Sequence, residues 1–347
     1  MNAIQLTQEA LKHEHPIVVL VGPTAVGKSE IGIRVAQRLG TEVLAADSRQ
    51  IYRGMDIGTD KPSMAERQGV PHRLIDLVDP DAPFNVGMFR RRVLDEIDRL
   101  YGDEKIPLVV GGTGLYVRAL LHGLWDGPAA DWDFRERLER EANVSGDDHL
   151  HRALSRVDPT LARRLHPHDR VKIIRALEVH HLCGRPLSEL HQGHGFTDSH
   201  FTPCLIGLVR DRDALYRRID ARVDLQLEKG LVDETSRLLA QGYSRQLGSM
   251  KGLGYRQMAG YLAGDYGYAE AVRVLKRDTR HFAKRQLTWF RKESQVTWLA
   301  IDEQETADEI AARVLGEVER YFGNADNLVA PVATLGATGT RSDLVSL

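Results

Sequence analysis

The 347 residues carry 28% charged and 42% hydrophobic side chains and a formal net charge of −2, the profile of a globular chain rather than a disordered or fibrous one. Two cysteines, Cys183 and Cys204, exclude a disulfide framework and a four-cysteine zinc site built within the chain. No apolar run approaches membrane-spanning length and Met1–His15 lacks the apolar core of a signal peptide, so a cytoplasmic protein with no membrane partner is expected.

In chain order, the apolar run Ile17–Val21 predicts a strand and Glu30–Leu39 a helix. Between them lie Gly22, Pro23, Thr24, Ala25, Val26, Gly27, Lys28 and Ser29. A strand, a glycine-bounded loop ending in Lys-Ser and a helix make a phosphate cradle, because backbone N–H groups, the helix N-terminus and Lys28 all present positive charge. The Ser29 hydroxyl can serve a Mg2+ ion riding on the phosphates. Val43–Ala46 predicts a second strand that ends at Asp47, an acid placed to accept a proton from an incoming nucleophile or, more simply, to cap a helix or to support a magnesium ion from its outer shell. Val86, Phe89, Val93, Ile97 and Leu100 recur at helical spacing and predict one buried face.

Leu108–Val110 predicts a third strand, which ends in Gly111-Gly112-Thr113 where nucleotide hydrolases commonly place a second magnesium-side acid. That departure weakens an ATPase or GTPase reading. From roughly Trp125 to Pro203 the chain is charged and helix-rich, too long for one crossover, and reads as a helical insert. Nine of the fourteen histidines fall between His149 and His200 without a known metal-ligand spacing, so they are read as a surface. Leu205–Val209, ahead of Arg210, is a further strand, followed by helices to about Glu293 and an edge strand at Val296–Ile301. Strands alternating with helices predict a mostly parallel sheet, with ligands at its carboxyl end beside Asp47, Thr113 and Arg210.

Arg273, Arg277, Arg280, Lys284 and Arg291 fall on one side of a helix, with Leu275, Phe282 and Trp289 expected to pack inward on another. Only Asp278 interrupts the positive charge from Arg273 to Lys292, which makes a polyanion partner credible. Lys251-Gly252-Leu253-Gly254-Tyr255-Arg256 is flexible, basic and aromatic, suited to a phosphate backbone or to stacking on a base.

The phosphate loop, the run Asp47-Ser48-Arg49-Gln50 through Pro62, and Leu74–Pro80 together resemble bacterial tRNA dimethylallyltransferase. So do Gly111–Tyr116, Arg175–Glu178, Gly230–Glu234 and Thr279–Arg291, in the same order along the chain. The resemblance implies a P-loop NTPase-like α/β core over 15–124 and 204–322 and an inserted tRNA-binding subdomain over 125–203. The stretch 323–347, rich in Ala, Gly, Thr and Ser without helical periodicity, is read from its composition as a disordered tail and is not a hallmark of that family. The resemblance also implies transfer of a dimethylallyl group from its diphosphate to the exocyclic amine of the adenine beside the anticodon, with Mg2+ as cofactor.

By the same resemblance Asp47 is the general base and Thr24 and Thr113 lie close to the reacting groups. The loop residues 22–29 hold the diphosphate, with Arg218 and Arg222 as further clamps. Ser48, Arg49, Gln50, Arg135, Lys172, Arg175, Lys251, Gly252, Gly254, Tyr255, Arg256, Lys284, Arg285 and Arg291, together with Asp47 and Thr113, fall in RNA-contacting segments. The expected assembly is a monomer. Three other functions remain open from the residues: an adenylate isopentenyltransferase acting on free nucleotides, a phosphate-loop kinase or NTPase, and a non-catalytic RNA-binding protein.

Overall fold

The computed structural model describes residues 3–125, 127–194 and 201–323. The expected disordered tail lies, beyond Gly323, outside these residues. The described residues divide into two compact units, one formed by 3–121 and 201–323, the other by 122–125 and 127–194.

In the first unit, α1 (Ala3–Ala10) leads into β1 (Pro16–Val21), which is buried along its whole length. The phosphate loop then feeds α2 (Lys28–Leu39). β2 (Val43–Ala46) follows, and after a long connection comes β3 (His72–Arg73), a two-residue strand too short to show in the sequence pattern. Arg73 on β3 and Arg99 both pair with the buried Glu42 carboxylate, each at 2.7 Å. Burial pushes the Glu42 carboxyl up, but these two guanidiniums more than offset it and hold it below the ordinary range.

α3 (Val86–Gly102) starts where the Asn85 side chain accepts from the Met88 N–H at 2.9 Å. It buries Phe89, Val93, Ile97 and Leu100, the face read from their spacing. β4 (Leu108–Gly111) and α4 (Gly114–His122) complete this half.

The second unit is helical: α5 (Trp132–Ser145), α6 (Asp147–Val157), the short α7 (Pro159–Ala162), α8 (Arg170–Cys183) and α9 (Leu187–His194). Leu138, Leu150, Leu154, Leu161, Ile173 and Leu187 form its own core. Buried Asp158 ties the N-terminus of α7 to Ser188, accepting from the Leu161 N–H at 2.9 Å and the Ser188 N–H at 2.8 Å. Among the described residues no group of three or more His, Cys, Asp or Glu could hold a metal. His151 bonds the Ala162 carbonyl at 3.0 Å, and His168 pairs with Asp147 at 3.1 Å.

β5 (Thr202–Arg210) returns the chain to the sheet and extends beyond the predicted run at both ends, because β1 pairs with its first part from Pro16↔Thr202 to Val21↔Gly207 and the edge strand that follows pairs with its last part from Ile206↔Thr297 to Arg210↔Ile301. Four helices follow: α10 (Arg212–Glu228), α11 (Leu231–Ala240), α12 (Tyr255–Leu262) and α13 (Tyr268–Phe290). The edge strand β6 (Thr297–Ile301) and α14 (Ala307–Gly323) close the unit.

The six-stranded sheet has the order β3-β2-β4-β1-β5-β6, and every pairing is parallel. Side chains alternate across it. Val18, Leu20, Leu108, Val110, Ile206 and Leu208 face α1, α2 and α14, whereas Ile17, Val19, Val21, Leu44, Val109 and Leu205 face α3, α4 and Phe290. Cover on both faces is why these strands read as continuous apolar runs. A third cluster joins α10–α13 to Ile51, Tyr52 and Met55 beyond β2. Among the described residues no helix is long and apolar enough to cross a membrane.

Candidate active site

The parallel sheet brings the carboxyl ends of β1, β2 and β4 side by side, with Val21 and Ala46 each level with Gly111. The three segments leaving those ends carry Thr24, Asp47 and Thr113, and all three residues line one cavity of about 490 Å³ in the first unit. Ser48 donates its N–H to Thr113 Oγ1 at 3.0 Å, and Arg49 donates its N–H to Asp47 Oδ1 at 2.8 Å. These bonds fix Asp47 and Thr113 relative to one another before any substrate arrives.

The phosphate loop turns on residues with unusual backbones. Gly27, which precedes the first residue of α2, has φ 113, a conformation that side chains rarely adopt. Ala25 is held in the left-handed region at φ 63, a strain that persists only where the surroundings enforce it. The helix start leaves its first N–H groups without intrahelical partners and contributes partial positive charge.

Arginines at three places enforce the loop. Arg222 Nη1 donates to Thr24 Oγ1 at 2.6 Å, Arg218 Nε to the Ala25 carbonyl at 2.9 Å and Arg210 Nε to the Val26 carbonyl at 3.0 Å. Arg218 and Arg222 lie one turn apart on α10, whereas Arg210 ends β5. Lys28 bends back to donate to the Pro23 carbonyl at 2.7 Å. Desolvation lowers the Lys28 ammonium from its ordinary 10.5 to about 8, Asp47 and Asp60 oppose that fall, and Arg222 adds to it. This concentration of cations around a loop of N–H groups suits a ligand with several negative charges.

Gln286 on α13 is a residue that sequence reading did not single out. Its Oε1 accepts from the Thr24 N–H at 2.8 Å, and its Nε2 donates to the Gly112 carbonyl at 2.9 Å. A Cβ on Gly112 would lie 2.3 Å from Gln286 Nε2, so the residue after β4 must be glycine for the bridge to form. The only signal available in sequence was its place inside the Thr279–Arg291 run.

The remaining predicted residues divide. Ser48, Arg49, Lys251, Gly252, Arg256 and Arg285 line the cavity with the central three. Gln50 is turned to the 59–60 carbonyls, and Lys284 and Arg291 are exposed. Gly254 is packed under Leu231. Tyr255 corrects an expectation: its ring is buried against Gly58 and its hydroxyl donates to Glu234 Oε1 at 2.6 Å, so it walls the cavity rather than presenting a stacking face.

The basic helix face is also corrected. The buried side of α13 is Ala271, Leu275, Thr279, Ala283, Gln286 and Phe290, while Phe282 and Trp289 are only partly covered. Asp220 and Asp224 on the neighbouring α10 pair with Arg280 and Lys276, and Glu270 pairs with Arg273. Arg277 and Arg256 share Asp278. Part of the apparent positive excess is therefore neutralised, by two acids of α10 and by Glu270 and Asp278 of α13 itself.

Arg135, Lys172 and Arg175 belong to the helical unit, around a second cavity of about 530 Å³ with the exposed Trp132. Fully buried Glu178 accepts two bonds from Arg135 at 2.7 Å each, one from Arg175, and one from the Asp131 N–H at 2.7 Å. Burial pushes the Glu178 carboxyl up, yet the two guanidiniums and that N–H bring it below the ordinary range.

The model of the IPP transferase family matches residues 50–293. The chain is 48% identical over 287 residues to tRNA dimethylallyltransferase 2 of Geotalea uraniireducens, covering 83% of this chain and 93% of that one. It is 47% identical to the tRNA dimethylallyltransferase of Desulforudis audaxviator, over 88% of this chain and 98% of the relative. Among solved structures, the tRNA isopentenylpyrophosphate transferase of Bacillus halodurans superposes with a TM-score of 0.65 at 41% identity, over 88% of this chain and 98% of the other. A eukaryotic dimethylallyltransferase acting on tRNA superposes with a TM-score of 0.74 at 27% identity, over 86% of this chain and 77% of that chain. These likenesses agree with a P-loop NTPase-like parallel core whose Asp47, Thr24 and Thr113 share one cavity, and the chain belongs to the IPP transferase family of prenyltransferases.

Proposed function

We propose that this protein transfers a dimethylallyl group from dimethylallyl diphosphate to the exocyclic amine of the adenine beside the tRNA anticodon. The observation that carries the reading is the convergence of Thr24, Asp47 and Thr113 on one cavity whose phosphate loop is held by Arg210, Arg218 and Arg222. The diphosphate occupies the loop over residues 22–29. The allylic carbon–oxygen bond breaks with its electron pair leaving on diphosphate, where Lys28, Arg222 and loop N–H groups stabilise the charge. The adenine nitrogen forms the new carbon–nitrogen bond, and its proton passes to the Asp47 carboxylate.

Ser29, exposed in the first turn of α2, is the hydroxyl that would hold Mg2+. The sparse protein donor set fits an ion coordinated mainly by phosphate oxygens and water rather than by a cage of side chains. When bound, magnesium would neutralise charge on the departing diphosphate. Ser48, Arg49, Lys251, Gly252, Arg256 and Arg285 form the part of the RNA contact that lines the cavity. Arg135, Lys172 and Arg175 form another on the helical unit, with Glu178 keeping two of the three guanidinium and ammonium groups in place. The protein works as a monomer in the cytoplasm.

The deciding experiment follows labelled dimethylallyl from its diphosphate, with magnesium, into unmodified tRNA and into AMP in parallel. Label in tRNA alone is the expected result. Label in AMP alone would move the protein to the free-nucleotide reaction, and label in neither would overturn prenyl transfer.

A further inference from the structure

Asp60 sits in the loop after β2, and its Oδ2 lies 3.3 Å from Arg222 Nε, while Arg222 Nη1 reaches Thr24. A long, freely rotating arginine side chain loses rotamer freedom when it is held in one geometry. One that is already held at two edges of its guanidinium gives up less of it when a ligand binds.

The loop bearing Asp60 is itself fixed with unusual thoroughness. Glu234 in the first turn of α11 is 3% exposed, and its carboxylate accepts from the Asp56, Ile57 and Gly58 N–H groups at 3.0–3.2 Å as well as from Tyr255 Oη. Three successive N–H groups around one carboxylate satisfy a buried charge that would otherwise be costly. Gln226, one turn beyond Arg222 on α10, donates to the Ile57 carbonyl at 3.0 Å, and Gln50 donates to the Asp60 carbonyl at 3.2 Å. Buried Lys61, next in the chain, pairs with Asp56 and Asp76.

We propose that Asp60 is a positioning residue that aims the Arg222 guanidinium at the phosphate loop, with Glu234 and Gln226 fixing the loop from which it acts. The connection runs from a buried carboxylate through a pinned loop and an ion pair to the hydroxyl of Thr24. It rests on the reading that Arg222 contacts the diphosphate. Asp60 is nearly half exposed, so its replacement does not open the core.

The test measures inorganic diphosphate binding by calorimetry, with magnesium, on the full chain. Wild type, Asp60→Asn, Arg222→Ala and the double variant are compared, each with its melting temperature. Arg222→Ala is expected to weaken binding at least about tenfold, and Asp60→Asn about five- to tenfold, inside the range of couplings within one network. In the Arg222→Ala background, Asp60→Asn should change affinity less than about twofold, since no guanidinium remains to be aimed. Melting temperatures of wild type and Asp60→Asn should agree.

Unchanged or tighter binding by Asp60→Asn would overturn the proposal, the second showing that Asp60 competes with the ligand for Arg222. Equal losses in both backgrounds would also overturn it and leave a general electrostatic or structural effect. If Arg222→Ala binds as well as wild type, or wild type does not bind, the underlying diphosphate reading fails as well.

Discussion

Gln286 accepts the Thr24 backbone N–H at 2.8 Å across 262 residues of sequence, tying the phosphate loop to the long helix α13. The same carboxamide donates to Gly112, so one side chain spans the loops that follow β1 and β4. Both ends of the bridge are internal, which makes it a support for the loop rather than a substrate contact.

Gln286→Leu keeps the volume and removes the bridge. The Thr24 N–H and the Gly112 carbonyl lose their partner, a change that costs about 1–3 kcal/mol for a buried group. Urea unfolding should show that loss, and diphosphate should protect the variant less than it protects wild type. An unaltered midpoint would mean that water replaces the carboxamide.

Asp47→Asn retains an oxygen for the Arg49 N–H and so preserves the turn, while removing the base. Turnover should fall by about 10²–10⁴, with tRNA affinity close to that of wild type. A single-turnover assay beside a filter-binding titration separates the two, and a rate close to wild type would remove Asp47 from proton transfer.

Lys28 sets a pH limit. Its ammonium is shifted from 10.5 to about 8 by desolvation, so it is charged at neutral pH and loses its proton as pH rises through that value. Anion binding favours the charged form, which puts the Lys28-dependent part of the affinity at full strength below pH 8 and in decline above it, by about tenfold per pH unit. Ionisation of diphosphate itself is common to all variants. The ratio of affinities between wild type and Lys28→Met should therefore be large at neutral pH and shrink as pH rises; a ratio independent of pH would show that Lys28 does not titrate there.

Glu234→Gln replaces a carboxylate that accepts from three N–H groups and a tyrosine hydroxyl. The amide nitrogen cannot accept, so part of the network is left unpaired at a cost of about 2–4 kcal/mol. The guanidinium chloride midpoint should fall accordingly, and protease sensitivity near residues 55–60 should rise. Full retention of stability would show that the network tolerates a neutral group.

Parallel strands buried on both faces, the glycine-bounded loop ending in Lys28-Ser29, and the α3 face from Phe89 to Leu100 were legible from the chain itself. Each depends on local spacing: apolar runs, positions needing left-handed backbones, or a repeat of three and four. The family was legible too, since its motifs are short segments met in order. β3 was not, because a two-residue strand has no period and is specified only by its neighbour β2.

The sequence alone determined which residue types were available for the site; tertiary structure decided which of them are free to act. Asp220 and Asp224 are remote from α13 in sequence, yet they neutralise Arg280 and Lys276 on a helix whose own positive run only Asp278 interrupts. Tyr255 has the composition of a stacking residue but is consumed by packing against Gly58 and bonding to Glu234. Gln286 and Asp60 have no distinguishing local pattern and acquire their roles only through partners at Thr24 and Arg222. The physical reason is the same in each case: charge, burial and hydrogen bonding are settled by the groups that surround a side chain, and folding brings those groups from elsewhere in the chain.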